Sequence, residues 1–392
     1  MEILHLLGHN ANWNLDLHFQ NEVGDGFVFC AYSFPDGYFG RDKISGGYKT
    51  TTVIDKSFID LQYYGKKESA NLTKSKLTTY SFHPSNVDSG AETNQYLITS
   101  IIQGIEYQLK LGFKKIIIPN YCDNENIDAF IGIIKQVNRW LIINKADDVQ
   151  YFMSIPFSYH TIHNSEKVET VLYHLTDKKI VFDGYYIVCE PKPETRQKLS
   201  IETTYLSNIT RVLSVLKKQG FKTIYAYANW DTLVFLALTD IDYVTIASFE
   251  NLRNFSIKRF TVTEGGGPSK GWYFSEAALN MIKAQYMTLL REKGTLDFIE
   301  NQHNIFSDAV LQENYPWSNT KPEVHKNYML SVAKLLKKVS SISNIDQRKL
   351  FVLNKIDEAI SVYEALESRN VYLEDESKNY HLGIWKSFLR SR

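Results

Sequence analysis

Between about residues 114 and 248 the chain repeats one pattern: a short β-rich apolar run, then a longer segment with helical periodicity. The runs are 114–119 (KKIIIP), 150–157 (QYFMSIPF), 185–190 (YYIVCE), 222–228 (KTIYAYA) and 243–248 (YVTIAS). Between them, 126–143 places Ile127, Phe130, Ile131, Ile134 and Val137 on one helical stripe, and 205–218 does the same with Leu206, Ile209, Val212, Leu213 and Leu216. Gly112 and Gly220 each stand two residues before a run, where a helix C-cap or turn glycine belongs. This alternation predicts parallel strands covered by helices.

Three further strand-like runs lie upstream, at 26–33 (GFVFCAYS), 58–64 (FIDLQYY) and 77–82 (LTTYSF). Three and five make eight, the number that closes a (β/α)8 barrel, and nearly all run apolar on both faces, as strands buried under helices do. An open doubly wound sheet is the rival; it requires a GxGxxG turn after an early strand, and none occurs. The first third is irregular, because 65–75 (GKKESANLTKS) is too short and too polar for a packed crossover helix. The expected organisation is therefore a lead-in over 1–25, an α/β barrel over 26–293 closed by a helix at 275–292, and a C-terminal α-helical extension over 294–392. In the lead-in, His5, His9 and His18 alternate with Asn10, Asn12, Trp13 and Asn14 and read as a solvated strand or loop. In the extension, Leu330, Val332, Leu335 and Leu336, then Leu350, Leu353, Ile356, Ile360, Tyr363 and Leu366, form two stripes that must find cover.

Composition narrows the function classes. Lys+Arg and Asp+Glu are both 44, so nucleic-acid binding through a general basic excess is not expected. No apolar run approaches the roughly 18 to 20 residues that span a bilayer, and the N-terminus lacks the pattern of a signal peptide, which predicts a soluble, cytoplasmic protein. Cys30, Cys122 and Cys189 are too few and too scattered for a disulfide framework or a zinc knuckle and read as core side chains. Neither a metal nor a cofactor is expected. His160 and His163 are three apart in a loop without a fixed carboxylate partner, a weak metal signal.

In a parallel barrel, ligands sit at the C-terminal strand ends, so the residues after each run are the candidates. They include Tyr32, Gln62, Tyr64, His83, Tyr159, His160, Trp230 and Arg253 for ligand contact. For proton transfer the candidates are Glu190, Asp231 and Glu250. Glu190 stands out because it ends a dense apolar run, where an unpaired carboxylate is costly and a raised pKa follows. Asp231 also precedes the apolar run 232–238, where a helix N-cap belongs. Two such carboxylates across a barrel mouth suit glycosidic chemistry. The stretch 264–271 (EGGGPSKG) follows the last run and offers a glycine-rich turn with Lys270 for a phosphate, or serves as a connector; it is not a Walker A loop, since Gly271 and Trp272 follow Lys270.

The sweep 225–253, YAYANWDTLVFLALTDIDYVTIASFENLR, resembles the last βαβ unit of TIM barrels in general. The resemblance covers the fold and assigns no chemistry. A barrel of the tRNA-guanine transglycosylase type is the closest functional thought, but its CxC and CxxC zinc ligands and its serine-glycine-glycine signature are missing, so no residue is carried over. The expected function is a barrel-top enzyme acting on a small polar ligand, with cleavage or transfer at a glycosidic or N-glycosidic bond by carboxylate acid/base chemistry. The alternative is a non-catalytic barrel that binds or scaffolds a protein partner, or self-associates, through its C-terminal helices.

Overall fold

The computed structural model of the chain describes residues 1–86, 94–122, 126–191, 199–262 and 270–392. It divides into two compact units, one of Met1–Pro193, Ser207–Ala228 and Ile241–Glu264, the other of Glu194–Leu206, Asn229–Asp240 and Gly265–Arg392.

The first unit is built on eight parallel strands: β1 (Glu2–Leu7), β2 (Gly26–Cys30), β3 (Ser57–Asp60), β4 (Lys115–Ile118), β5 (Gln150–Phe157), β6 (Gly184–Cys189), β7 (Lys222–Tyr225) and β8 (Tyr243–Ile246). Their ladder order is β3-β2-β1-β8-β7-β6-β5-β4, which is the sequential order of a barrel opened between β3 and β4. Those two strands lie side by side without a ladder.

The interior shows the closure. Phe58 on β3, Phe152 on β5 and Tyr243 on β8 come from strands that are not neighbours, yet their ring centroids are 5.6, 6.0 and 6.0 Å apart. Rings from such strands meet only across a rolled sheet, as in the side-chain layers of (β/α)8 barrels. The Lys115 ammonium caps this layer, 5.5 Å from the Phe58 ring and 5.3 Å from that of Tyr243. Register carries the alternation upward: Val28 pairs with Phe58 and Cys30 with Asp60, so Asp60 lies two residues along β3, on the same inner face. The opposite faces meet helices and loops, as where Phe29 packs edge-on against Phe34 and Phe39. Close spacing has a local requirement at Gly184, where a Cβ would collide with the Lys222 carbonyl on β7.

Helices alternate with the strands as the periodicity predicts. Asn126 and Asn164 cap Ile127–Asn144 and Ser165–Leu175 by accepting from the amides of Ala129 and Lys167, each at 3.0 Å. The buried face of the first of these holds Phe130, Ile131, Ile134 and Val137.

Several expectations are corrected. Residues 2–7 are a buried central strand, since β1 pairs with both β2 and β8. His5 on it is fully buried, its Nε2 2.7 Å from the Val23 carbonyl, and burial pushes its pKa down to about 4. Residues 77–82 are not a strand: Leu77–Thr79 is a 3-10 turn, and Tyr80 is buried with its hydroxyl donating to Phe34 O at 2.6 Å. The expected helix over 275–292 is an antiparallel hairpin, β9 (Trp272–Ser275) with β10 (Asn280–Lys283), followed by a short helix Met287–Glu292.

In the second unit, helices Pro322–Ser340, Ile345–Ser368 and Leu382–Arg390 follow the hairpin. Val332, Leu335 and Leu336 are buried as expected, but the covered face of Ile345–Ser368 runs through Val352, Ile356, Ala359, Tyr363 and Leu366, leaving Leu350 exposed. Among the described residues no helix is long and apolar enough to cross a membrane.

Candidate functional site

Parallel strands place all their C-terminal ends at one end of the barrel, and in the first unit the polar side chains there converge on Asp60, the last residue of β3. Its Oδ2 accepts from the hydroxyls of Tyr64 (2.9 Å), Tyr186 (3.3 Å) and Tyr227 (3.5 Å), and its Oδ1 from the Gln62 amide (3.0 Å). These residues come from three places in the chain: the loop after β3, the middle of β6 and the loop after β7. Gln62 links the set further, donating from Nε2 to the Tyr227 hydroxyl at 2.5 Å and accepting from the Tyr32 amide at 2.8 Å.

Asp60 is fully buried, and burial raises its pKa from 3.8 to about 6, outweighing the donors that favour the carboxylate. The carboxyl therefore changes charge near neutral pH, which is what a general acid or base requires. Burial pushes the three tyrosines well above their ordinary value, so they stay protonated as donors. The neighbouring Cys30 thiol is also pushed up, by burial first and then by the Asp60 charge; it is not a thiolate nucleophile.

Three of the chain's left-handed or strained non-glycine residues lie at the same place. Gln62 (φ 52°, ψ 53°) and Tyr227 (φ 52°) are left-handed, and Lys66 sits at φ 49°, ψ −135°, a region that suits glycine. Each such residue costs about 1–3 kcal/mol and persists only where its surroundings fix it. The hydrogen bond between Gln62 and Tyr227 joins two of the three.

Rings from the loop after β8 cover the cluster. Phe255 lies 5.0 Å from Tyr64 and 5.2 Å from Tyr227, and Phe260 lies 5.2 Å from Tyr64. The Arg259 guanidinium stacks 4.8 Å over the Tyr32 ring, and its charge is felt at Cys30 and Tyr227.

Of the residues singled out from sequence, Tyr32, Gln62 and Tyr64 meet at Asp60, and Glu190 meets Tyr159. Glu190 is buried and holds structure: its Oε2 accepts from the Tyr159 amide (3.2 Å) and its Oε1 from the Ile257 amide (2.9 Å). Glu250 is exposed at the start of a 3-10 turn, and His160 is exposed. Tyr159 packs against His163 at 4.1 Å. His83 is buried, with Nδ1 2.8 Å from the Ser85 hydroxyl and its ring edge-on to Tyr63; burial pushes its pKa down to about 3 and keeps it neutral. Arg253 is buried and donates to the carbonyls of Ala247 (3.0 Å) and Ser248, tying down the chain after β8. Tyr32 belongs to the Asp60 network through its amide.

Asp231 and Trp230 belong to the second unit. There Trp230 packs on Phe274 and Tyr328, and Asp231 is buried with its pKa raised by burial to about 7. Asp231 makes no side-chain cap to the helix Thr232–Leu236. Lys270 is exposed in the same unit, and the glycine-rich stretch before it, 264–269, lies outside the described residues. Among the described residues no three or more His, Cys, Asp and Glu side chains gather as a metal site would need.

Asp60 in FIDLQYY is, like Glu190, a carboxylate inside an apolar run, and the register on β3 points it inward. Tyr186 and Tyr227 carried no such signal, since tyrosines are frequent throughout this chain. No protein-family model and no curated protein sequence matches the chain. The fold and the site define it as a TIM-like barrel protein with a buried, titratable Asp–Tyr cluster at the strand ends.

Proposed function

We propose that the first unit is a barrel-top enzyme that cleaves or transfers a glycosidic or N-glycosidic bond, with Asp60 in place of Glu190 as the proton-transfer carboxyl. The observation that carries this reading is Asp60 itself, an inward carboxyl at a strand end, held by three tyrosine hydroxyls and titrating near pH 6. Protonated, it delivers a proton to a leaving-group oxygen or nitrogen, and Tyr64, Tyr186 and Tyr227 stabilise the carboxylate that remains. Glu250, exposed after β8 in the same unit, is the candidate second carboxylate. The segment bearing Phe255 and Phe260 must swing away to admit a substrate and then exclude water from it.

The test is turnover of a panel of nitrophenyl glycosides and nucleosides by the wild type and by Asp60→Asn. Turnover should fall about 10²–10⁴-fold in the variant, the usual worth of a general acid. In the wild type the rate should decline as pH rises through about 6, because the acid form is the active one. An Asp60→Asn protein with wild-type turnover sinks the assignment. The packed rings over the cluster favour a second reading, a non-catalytic barrel serving as a binding or scaffold subunit. Absence of turnover across the panel by folded wild-type protein favours that one.

A further inference from the structure

Arg259 and Lys66 are half-buried cations whose contacts are with aromatic rings. Arg259 lies over Tyr32 at 4.8 Å and donates from one Nη to the Asn251 carbonyl at 3.1 Å; Lys66 Nζ lies 4.1 Å from the Tyr121 ring. Neither pairs with a carboxylate among the described residues. A guanidinium carries five N–H donors in a fixed fork, so acceptors among the described residues use only a small part of the hydrogen-bonding capacity of Arg259.

Chain geometry brings the two cations to one edge of the barrel mouth. The loop after β3 and the turn Lys258–Thr261 are locked together where Gly65 abuts the Phe260 carbonyl and Ser69 Oγ donates to it at 3.2 Å. Lys66 and Arg259 each adjoin that contact in sequence. Tyr32 follows β2 and Tyr121 follows β4, the strands on either side of β3, so the cations straddle the strand that ends in Asp60. Contact with the rings holds both groups in place without pairing either with a carboxylate among the described residues. At Lys66 this placement is kept at the cost of the strained backbone described above.

We propose that the barrel mouth binds its ligand by an oxyanion group, a phosphate or a carboxylate, seated between Arg259 and Lys66. The proposal rests on the reading of the Asp60 cluster as a sugar-handling site and narrows its substrates to acidic or phosphorylated sugars. The guanidinium supplies paired, directional hydrogen bonds to the oxyanion and the ammonium a second positive charge. The sugar then extends from this anchor toward Asp60.

Calorimetric titration with glucose 6-phosphate, glucuronate and glucose separates the sources, since one ring carries a phosphate, a carboxylate or neither. At least one anion should bind wild-type protein about tenfold or more tightly than glucose. Arg259→Gln should erase that preference and Lys66→Gln should weaken it, while Asp60→Asn should keep it. The stronger of the two anions identifies the group. Equal binding of all three sugars overturns the proposal, as does failure of both anions to bind at millimolar concentration or an unchanged preference in Arg259→Gln. Anion binding by a protein that turns over neither neutral glycosides nor nitrophenyl glucuronide and glycoside phosphates leaves this inference standing and removes the glycosidic reading. Turnover of neutral glycosides with no anion preference does the reverse.

Discussion

Asp60 carries two opposed effects on one side chain. Removed from water it resists ionisation; surrounded by Tyr64, Tyr186, Tyr227 and the Gln62 amide it is partly compensated, and the balance falls at a pKa of about 6. Because the folded value lies above the unfolded 3.8, the folded state binds the proton more tightly. The associated stability is fully present below about pH 3.8 and is lost as pH rises through about 6, a loss of about 3 kcal/mol if the unfolded carboxyl behaves normally. Asp60→Asn removes that titration. Urea unfolding of wild type and variant at pH 4.5 and pH 8 should therefore show the variant gaining relative stability at the higher pH, by about 2 kcal/mol, since part of the effect is already lost at pH 4.5. A difference between the two proteins that does not move with pH places the Asp60 titration outside this range and removes the basis for an acid–base role near neutrality.

At the scale of elements, hydrophobic pattern decided most of what was legible. The runs at 26–33, 58–64 and 114–248 became β2 to β8 because each is a continuous apolar stretch bounded by turn residues, the form a helix-covered strand takes. β1 escaped that reading because EILHLL carries His5, and polar histidines and asparagines crowd its flank; burial against Val23 and Asn14 neutralises that signal only in three dimensions. LTTYSF at 77–82 alternates like a strand yet forms turns, its Tyr80 and Leu77 buried by loop contacts no local pattern encodes. The 275–292 stretch has helical spacing, but Leu279 takes φ 46° in the turn of a hairpin. In the helical unit, Arg348 shows what a stripe cannot: it is buried and bonded through Nε to Ile342 O (2.9 Å) and through Nη1 to Leu236 O (3.0 Å) and Thr239 O (3.3 Å). Its contact with Asp240 is exposed on the acid side. Arg348→Met should cost about 2–4 kcal/mol by stranding buried carbonyls, whereas Asp240→Asn should cost under about 1 kcal/mol. Thermal melts of the two variants decide it, and equal effects would show that the ion pair carries the interaction.

For the barrel as a whole, the ladder order makes β1 the least dispensable part of the first unit. It is the one strand that joins the segment β2–β3 to the segment β4–β8, pairing Leu4 with Gly26 on one side and with Thr245 on the other. At the opposite side of the barrel, β3 and β4 meet without a ladder, so the hydrogen-bonded sheet cannot route around a missing β1. Deleting residues 1–25 would expose the edges of β2 and β8, strip the helix Asn12–Asn21 from the outer face of Phe27, and break the sheet in two. It would also release β3, and with it Asp60, from the strands that carry Tyr186 and lead to Tyr227. The truncated chain should lose its cooperative thermal transition and its near-ultraviolet circular dichroism, in which the packed tyrosines dominate, while retaining helical signal in the far ultraviolet. If the N-terminal segment were a detachable lead-in, the truncated protein would melt as sharply as the full chain. A sharp melt together with intact anion binding would mean that β2 and β8 can close on each other directly, a seven-stranded arrangement in which the inward register of β3, and so the position of Asp60, would have to be preserved without its central ladder.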